Sequence, residues 1–335
     1  MRTNRFLARK LLITLNLIVW MGAGEMLAQS YSDHPLVHTY SIVAYDSITG
    51  NMGVAVQSHW FSVGPLVAWG EAGVGVVATQ SFVNPAYGPN GLALLKAGLS
   101  PREALDSLLG SDPGKAVRQV GILDNIGRSA SHTGEKCIQA AGHIVGPNYA
   151  VQANLMLNDQ VWPAMAEAFE NSRGPLAERM VKALQAAQQK GGDLRGKQSA
   201  ALLVVKARST GQIWRDRLVD LRVEDHPDPV QELARLLRVH RAYEFMNKGD
   251  VAMEMGKAEE ALKQYGTAEA MFPQNLEMKF WHAINLANLG DLETALPLFE
   301  QVFASDNHWE MLIPRLIEVD LLTVSEQDLD RILGQ

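Results

Sequence analysis

Between His38 and Gln80 three apolar runs follow one another, and the first two are joined by a short, turn-rich link, the pattern by which a hairpin opens a sheet. The first runs from His38 to Asp46, the second from Gly53 to Ser58 and the third from Ala72 to Gln80. Asp46 to Asn51 joins the first two and is dense in turn formers, so these two strands pair antiparallel. Gly73 and Gly75 lie inside the third run and no helix follows it. That context excludes a dinucleotide-binding phosphate loop. Thr39 stands at the mouth of the first strand, where a hydroxyl nucleophile would sit at the edge of a hairpin sheet.

The next part alternates strand pairs with helix pairs. Asn84 to Gly91 is a loop, followed by helical stretches over 92–97 and from Pro101. Ser100 and Glu103 form a capping box for the second of these. Strands over 117–124 and 128–132 flank a turn at Asn125, Ile126 and Gly127, and strands over 142–145 and 149–155 flank Gly146, Pro147 and Asn148. Helical periodicity returns over 161–171 and 175–190, and Gly191 with Gly192 stops the second helix. Strands over 198–206 and 218–223 close this part. Two antiparallel sheets stacked face to face with helices outside accommodate this order, as do other α+β layouts.

The N-terminus is of another kind. Arg2, Arg5, Arg9 and Lys10 form a basic head, Leu11 to Ala23 is an uncharged run of 13 residues, and Ala28 to Ser30 offers small residues. A bilayer span needs about 20 apolar residues, so residues 1–30 read as a cleaved export signal. The chain is then periplasmic or extracellular, with no transmembrane segment left after cleavage. Loss of that segment removes a net +3 and takes the formal charge from −7 to −10. An acidic surface argues against nucleic acid as a partner. Cys137 is the single cysteine, which excludes an internal disulfide and reads as a small buried hydrophobe. The nine histidines are scattered without ligand spacing, so neither a metal nor another cofactor is expected.

From Arg241 onward the pattern is helical with short breaks, and it repeats. Gly256, Ala261, Leu262, Tyr265 and Ala268 correspond to Gly290, Ala295, Leu296, Phe299 and Val302 at an offset of 34 residues. That period, with small residues at the helix crossing, is the tetratricopeptide signature. Residues 241–335 are expected to form such repeats with a C-terminal cap, and to hold a protein partner or a second copy of the chain.

Residues 37–240 resemble a bacterial and archaeal family known as domain of unknown function 1028. The resemblance is carried by the strand after Thr39 and by Asn84, Pro85, Tyr87 and Gly88. It continues through His132 to Gly134, Ala150 to Asn154 and Gly191 to Leu202, and ends in Asp225 to Pro229. Ala153 departs from the family's usual glycine. The resemblance implies an N-terminal-nucleophile-hydrolase-like domain over 31–240, a four-layer αββα sandwich, giving an α+β chain with an all-α module behind it.

Chemistry is expected at the strand ends. In such a hydrolase a threonine attacks an amide carbonyl while its own α-amine, with a reference pKa of about 7.7–8.0, takes the proton. Thr39 is the candidate, against the plain reading of a threonine that merely begins a strand. Eight residues, Tyr31 to His38, separate it from the expected signal cleavage, so a second cut before Thr39 is required. Ser58, Gln80, Asn84, His132, Gln152, Asn154 and Asp193 are the candidate oxyanion and substrate-binding groups, Gln80 or Asn154 as the oxyanion donor. Gln152 and Asn154 share one strand face, and two amides there make a substrate-facing patch. Asp193 and Arg195 form a pair in the bland reading. The functional expectation is an amidohydrolase acting on a peptide-like or other amide bond. The alternative is a non-catalytic binding or scaffold protein using its helical repeats.

Overall fold

The computed structural model describes residues 36–334, and the signal expected over 1–30 lies outside them. The chain divides into two compact units, the first ending at Ala234 and the second beginning at Arg235. Among the described residues the first unit contains strands β1 (Leu36–Val37), β2 (Thr39–Tyr45), β3 (Met52–Ser58), β4 (Ala68–Glu71), β5 (Gly75–Phe82), β6 (Arg118–Asp124), β7 (Ser129–Thr133), β8 (Gly142–Gly146), β9 (Tyr149–Ala153), β10 (Ser199–Val205) and β11 (Arg217–Val223). Its long helices are α1 (Tyr87–Lys96), α2 (Pro101–Gly110), α3 (Val161–Asn171) and α4 (Leu176–Gln189), and α5 (Pro229–Glu254) carries the boundary.

The strands form two antiparallel sheets. One has the order β1-β5-β6-β7, with β4 also paired to β5; the other has the order β11-β10-β3-β2-β9-β8. The sheets face each other, α1 and α2 cover the outer face of the first, and α3 and α4 cover that of the second. The opening hairpin is β2 with β3, whereas the third apolar run, β5, crosses to the other sheet. The short strands β1 and β4 carry too few residues to have a visible period of their own. The helix expected over 230–240 continues to Glu254; it runs through Gly249 and ends before Gly256, which takes a φ of 70°.

Alternation within each strand decides what fills the sandwich. In β2, Tyr40, Ile42 and Ala44 face the helices, and Tyr40 Oη donates to Gln188 Oε1 of α4 at 3.1 Å. The other parity faces the opposing sheet, and it changes character along the strand. Met52, Val54 and Val56 lead to Ser58 in β3; Val205, Leu203 and Ala201 lead to Ser199 in β10; Val76 and Ala78 lead to Gln80 in β5. Leu123 leads through Gly121 to Gln119 in β6, and Val43 leads through Ser41 to Thr39 in β2. One end of the interior is thus apolar and the other polar, and Thr39 lies at the polar end.

The second unit is helical: α6 (Ala258–Met271), α7 (Leu276–Asn288), α8 (Leu292–Ser305), α9 (His308–Ile317) and α10 (Glu326–Ile332) follow α5. Helix α7 packs on α6 and α8, and α8 packs in turn on α9 and α10. Ala261, Tyr265 and Ala268 are buried, as are Ala295, Phe299 and Val302 at the corresponding positions. Gly256 and Gly290 end their helices with φ of 70° and 81°, a conformation glycine adopts without cost. No helix among the described residues is long and apolar enough to cross a membrane.

Candidate active site

Thr39 is fully buried, and its Oγ1 donates to the carbonyl of Val37 at 2.8 Å. Residues 36–38, which precede it, do not trail into solvent. Leu36 and Val37 pair with Phe82 and Ser81 of β5, forming a strap across the end of the first sheet. Ser81 adopts φ of 74°, in the left-handed region that a non-glycine side chain occupies only when its surroundings enforce it.

The peptide bond joining strap to strand is held at its carbonyl. Ser58 Oγ donates to His38 O at 2.5 Å and Arg195 Nη2 donates to the same oxygen at 2.8 Å. Ser58 reaches it because Thr39 and Ser58 are register partners across the opening hairpin. Arg195 is aimed by Asp193, which accepts from its Nε at 3.0 Å and its Nη2 at 2.7 Å. Asp193 Oδ2 also accepts from the His59 backbone N–H at 3.1 Å, tying the pair to the end of β3. The carboxylate thus fixes a guanidinium whose side chain keeps 27% of its exposure, at the rim of the site.

Behind Thr39 the amides bond to one another. Gln80 Nε2 donates to Thr39 O at 3.1 Å and to Gln119 Oε1 at 2.7 Å, while Gln80 Oε1 accepts from Ser41 Oγ at 2.5 Å. Gln152 Nε2 donates to Ser41 Oγ at 2.6 Å. Asn154 donates to Thr39 O through its backbone N–H at 3.1 Å and to Gln119 Oε1 through Nδ2 at 2.8 Å. Gln119 Nε2 crosses to Ala153 O and Thr133 Oγ1, both at 2.8 Å. Burial without these partners would be costly for every amide. The network locks the two sheets together and fixes the Thr39 carbonyl.

His38 closes the site from the other side. Asn154 spends Nδ2 as a donor, so its Oδ1 is the acceptor for His38 Nδ1–H at 2.7 Å. The imidazole meets the Phe82 ring edge to face at 5.7 Å between centroids. Burial pushes the His38 pKa down, and the nearby Arg195 charge acts in the same direction.

The structure gathers Thr39, Ser58, Gln80, Gln152, Asn154 and Asp193 at one end of the sandwich and leaves two expected members outside. His132 lies on the outward parity of β7, with Nε2 at 3.0 Å from Lys115 O, while its neighbours Ser131 and Thr133 point inward. Asn84 folds its own loop, its Oδ1 accepting from the Ala86 N–H at 3.2 Å. Gln152 is fully buried, as Thr39 and Asn154 are, and its Nε2 is committed to Ser41 Oγ. The donors on the His38 carbonyl are Ser58 and Arg195; Gln80 and Asn154 serve the Thr39 carbonyl instead. His38, Ser41, Gln119 and the Arg195 contact escaped sequence reasoning, although Gln119 follows the inward parity of its strand. Among the described residues no His, Cys, Asp and Glu group is arranged to hold a metal ion.

Residues 39–233 match the family described as a family of unknown function, DUF1028. The chain belongs to the DUF1028 family. The match begins at Thr39 itself. Protein SPO2555 from Silicibacter pomeroyi, another DUF1028 member with a crystal structure, is 30% identical over 60% of this chain and 85% of its own, with a TM-score of 0.55. Anbu, the ancestral beta-subunit from Yersinia bercovieri, is 12% identical over 59% of this chain and 92% of its own, with a TM-score of 0.30. No curated protein matches the chain.

Proposed function

We propose that this DUF1028 protein is an exported amidohydrolase of the N-terminal-nucleophile type, synthesised as a precursor and activated by cleavage between His38 and Thr39. One observation carries the reading: the carbonyl of the bond before Thr39 already rests on a hydroxyl and a guanidinium, with 2.5 and 2.8 Å contacts. Donors so placed stabilise the oxyanion that forms when a nucleophile adds to that carbonyl. In processing, Thr39 Oγ1 adds to the His38 carbonyl carbon, the C–N bond breaks, and the hydroxyl proton passes to the Thr39 nitrogen. Water hydrolyses the resulting ester, leaving a His38 carboxylate and a free α-amine on Thr39. In turnover that amine takes the Oγ1 proton during attack on a substrate amide and delivers it to the leaving amine. Water then releases the acyl group. The helix–sheet–sheet–helix layering supports the reading. The basic head and apolar run of residues 1–30 support export.

The matching burial at an offset of 34 residues supports a tetratricopeptide-like second unit. A groove of about 470 Å³ there, lined by Tyr243, Asp250, Glu277 and Trp281 among others, favours a second reading in which the chain binds a protein partner. Intact mass and N-terminal sequencing of the protein from its native host test the enzyme reading. A mature chain beginning at Thr39 is expected; one that begins near Tyr31 and never at Thr39 overturns it, and the binding reading then leads.

A further inference from the structure

The strap does more than block Thr39. If Thr39 is the nucleophile, as proposed above, the ester formed during processing and the acyl-enzyme formed during turnover are one chemical species, an acyl group on Thr39 Oγ1. The groups that hold the strap's acyl side are therefore those available to hold a substrate's acyl side. Three contacts define that side. Leu36 and Val37 pair antiparallel with Phe82 and Ser81, so the backbone is extended along the edge of β5. Val37 is fully buried within the apolar cluster that includes Val56, Val63 and Val83, whereas Leu36 is 44% exposed. His38 is 3% exposed, its Nδ1–H on Asn154 Oδ1 and its ring against Phe82.

We infer that the strap occupies the acyl-side substrate subsites, and that the mature protein takes an extended peptide with a branched aliphatic residue in the place of Val37 and a hydrogen-bond-donating aromatic ring in the place of His38. Departure of the strap uncovers an edge of β5, an apolar hole and an amide oxygen without its donor. The last two are costly to leave empty, which is what makes them selective. The position of Leu36 is open to solvent and imposes little choice.

The test uses the chain beginning at Thr39, obtained by processing or produced directly, and acetyl-Leu-Val-His as both its free acid and its aminomethylcoumarin amide. The free acid is expected to bind. Replacing its His by Leu, or its Val by Asp, is expected to weaken binding by about tenfold or more, and Asn154→Leu, which also costs the network its bond to Gln119, is expected to abolish the preference for His over Leu while the preference for Val over Asp persists. Binding of all three acids with equal affinity, or of none, overturns the inference. Binding with this selectivity but no hydrolysis of any peptide amide overturns the amidohydrolase reading and leaves the subsites standing. Hydrolysis of other peptide amides without this selectivity does the reverse. Should the Thr39-first chain fail to fold, the same subsites are read in the full-length precursor. There His38→Leu and Val37→Asp are each expected to slow cleavage before residue 39 by about tenfold, while His38→Leu with Asn154→Leu recovers part of the rate. Unchanged cleavage in both single variants overturns the inference.

Discussion

Ser58 Oγ donates a 2.5 Å hydrogen bond to the carbonyl of His38, the residue that precedes the candidate nucleophile, from the hairpin position directly opposite Thr39. Removing one such donor from an oxyanion site costs about 10²–10³ in rate. Ser58→Ala is expected to slow precursor cleavage by that factor while the precursor's melting temperature changes little. Timed intact-mass measurements check the rate. A Ser58→Ala precursor that matures at the parental rate would remove Ser58 from the proposed chemistry.

Arg195 acts on the same oxygen through a fork that Asp193 aims. Arg195→Lys keeps the charge but loses the planar pair of donors. Cleavage slowed by about tenfold or more is expected, together with a similar loss in Asp193→Asn. An Arg195→Lys precursor cleaved as fast as the parent would mean that charge alone suffices.

The pH dependence of the strap follows from His38. Burial, aided by the Arg195 charge, holds its pKa below the ordinary value of 6.5. The docked strap therefore favours neutral imidazole. The His38 contribution to docking is fully present above the unfolded value of about 6.5 and is lost as pH falls from there toward the lowered folded value, because the released chain binds the proton more readily. Hydrogen exchange of the strap amides, corrected for intrinsic rate, is expected to report weaker protection at about pH 5.5 than at about pH 7.5. His38→Gln, which keeps a donor without titrating, is expected to flatten that dependence.

Outside the site, Arg118 and Asp112 form an ion pair at 2.7 Å with side-chain exposures of 5% and 8%, and Arg118 Nη1 also donates to Phe82 O. Burial works to raise the Asp112 pKa, but hydrogen bonds from Arg118, Tyr87 and the Gly114 N–H prevail and hold the carboxyl below its ordinary range. Arg118→Met leaves a buried carboxylate without its cation and is expected to cost about 3–5 kcal/mol, read by urea unfolding at neutral pH. The Asp112 contribution is present above its unfolded value near 3.8 and is lost as pH falls through its folded value.

Gly121 leaves room for the network. A Cβ built there would lie 2.4 Å from Gln152 Oε1. Gly121→Ala must displace that amide, and a loss of about 1–3 kcal/mol is expected along with slower cleavage, because the Gln152 amide holds Ser41 Oγ, which in turn holds the Gln80 that donates to the Thr39 carbonyl. Calorimetry and the cleavage assay together check both effects.

Much of the scaffold was legible because it is local. The turn residues at 46–51, 125–127 and 146–148 mark hairpins observed as β2–β3, β6–β7 and β8–β9, and Ser100 with Glu103 closes the capping box seen at α2. Period alone placed Gln152 and Asn154 on one face of their expected strand. It could not tell that β5 leaves the opening hairpin for the other sheet, nor that the polar ends of β2, β3, β5, β6 and β10 converge. Gln119 and Gln80 are 39 residues apart in the chain and 2.7 Å apart in space, and His38 and Asn154 are 116 apart and also at 2.7 Å. Residue order sufficed for the longer strands, their turns and the threonine at a strand mouth, but not for the short strands β1 and β4. The tertiary structure alone decided which groups surround that threonine, because a hydrogen bond depends on ångström-scale distance and direction, and stacking two sheets brings together residues that no local periodicity relates.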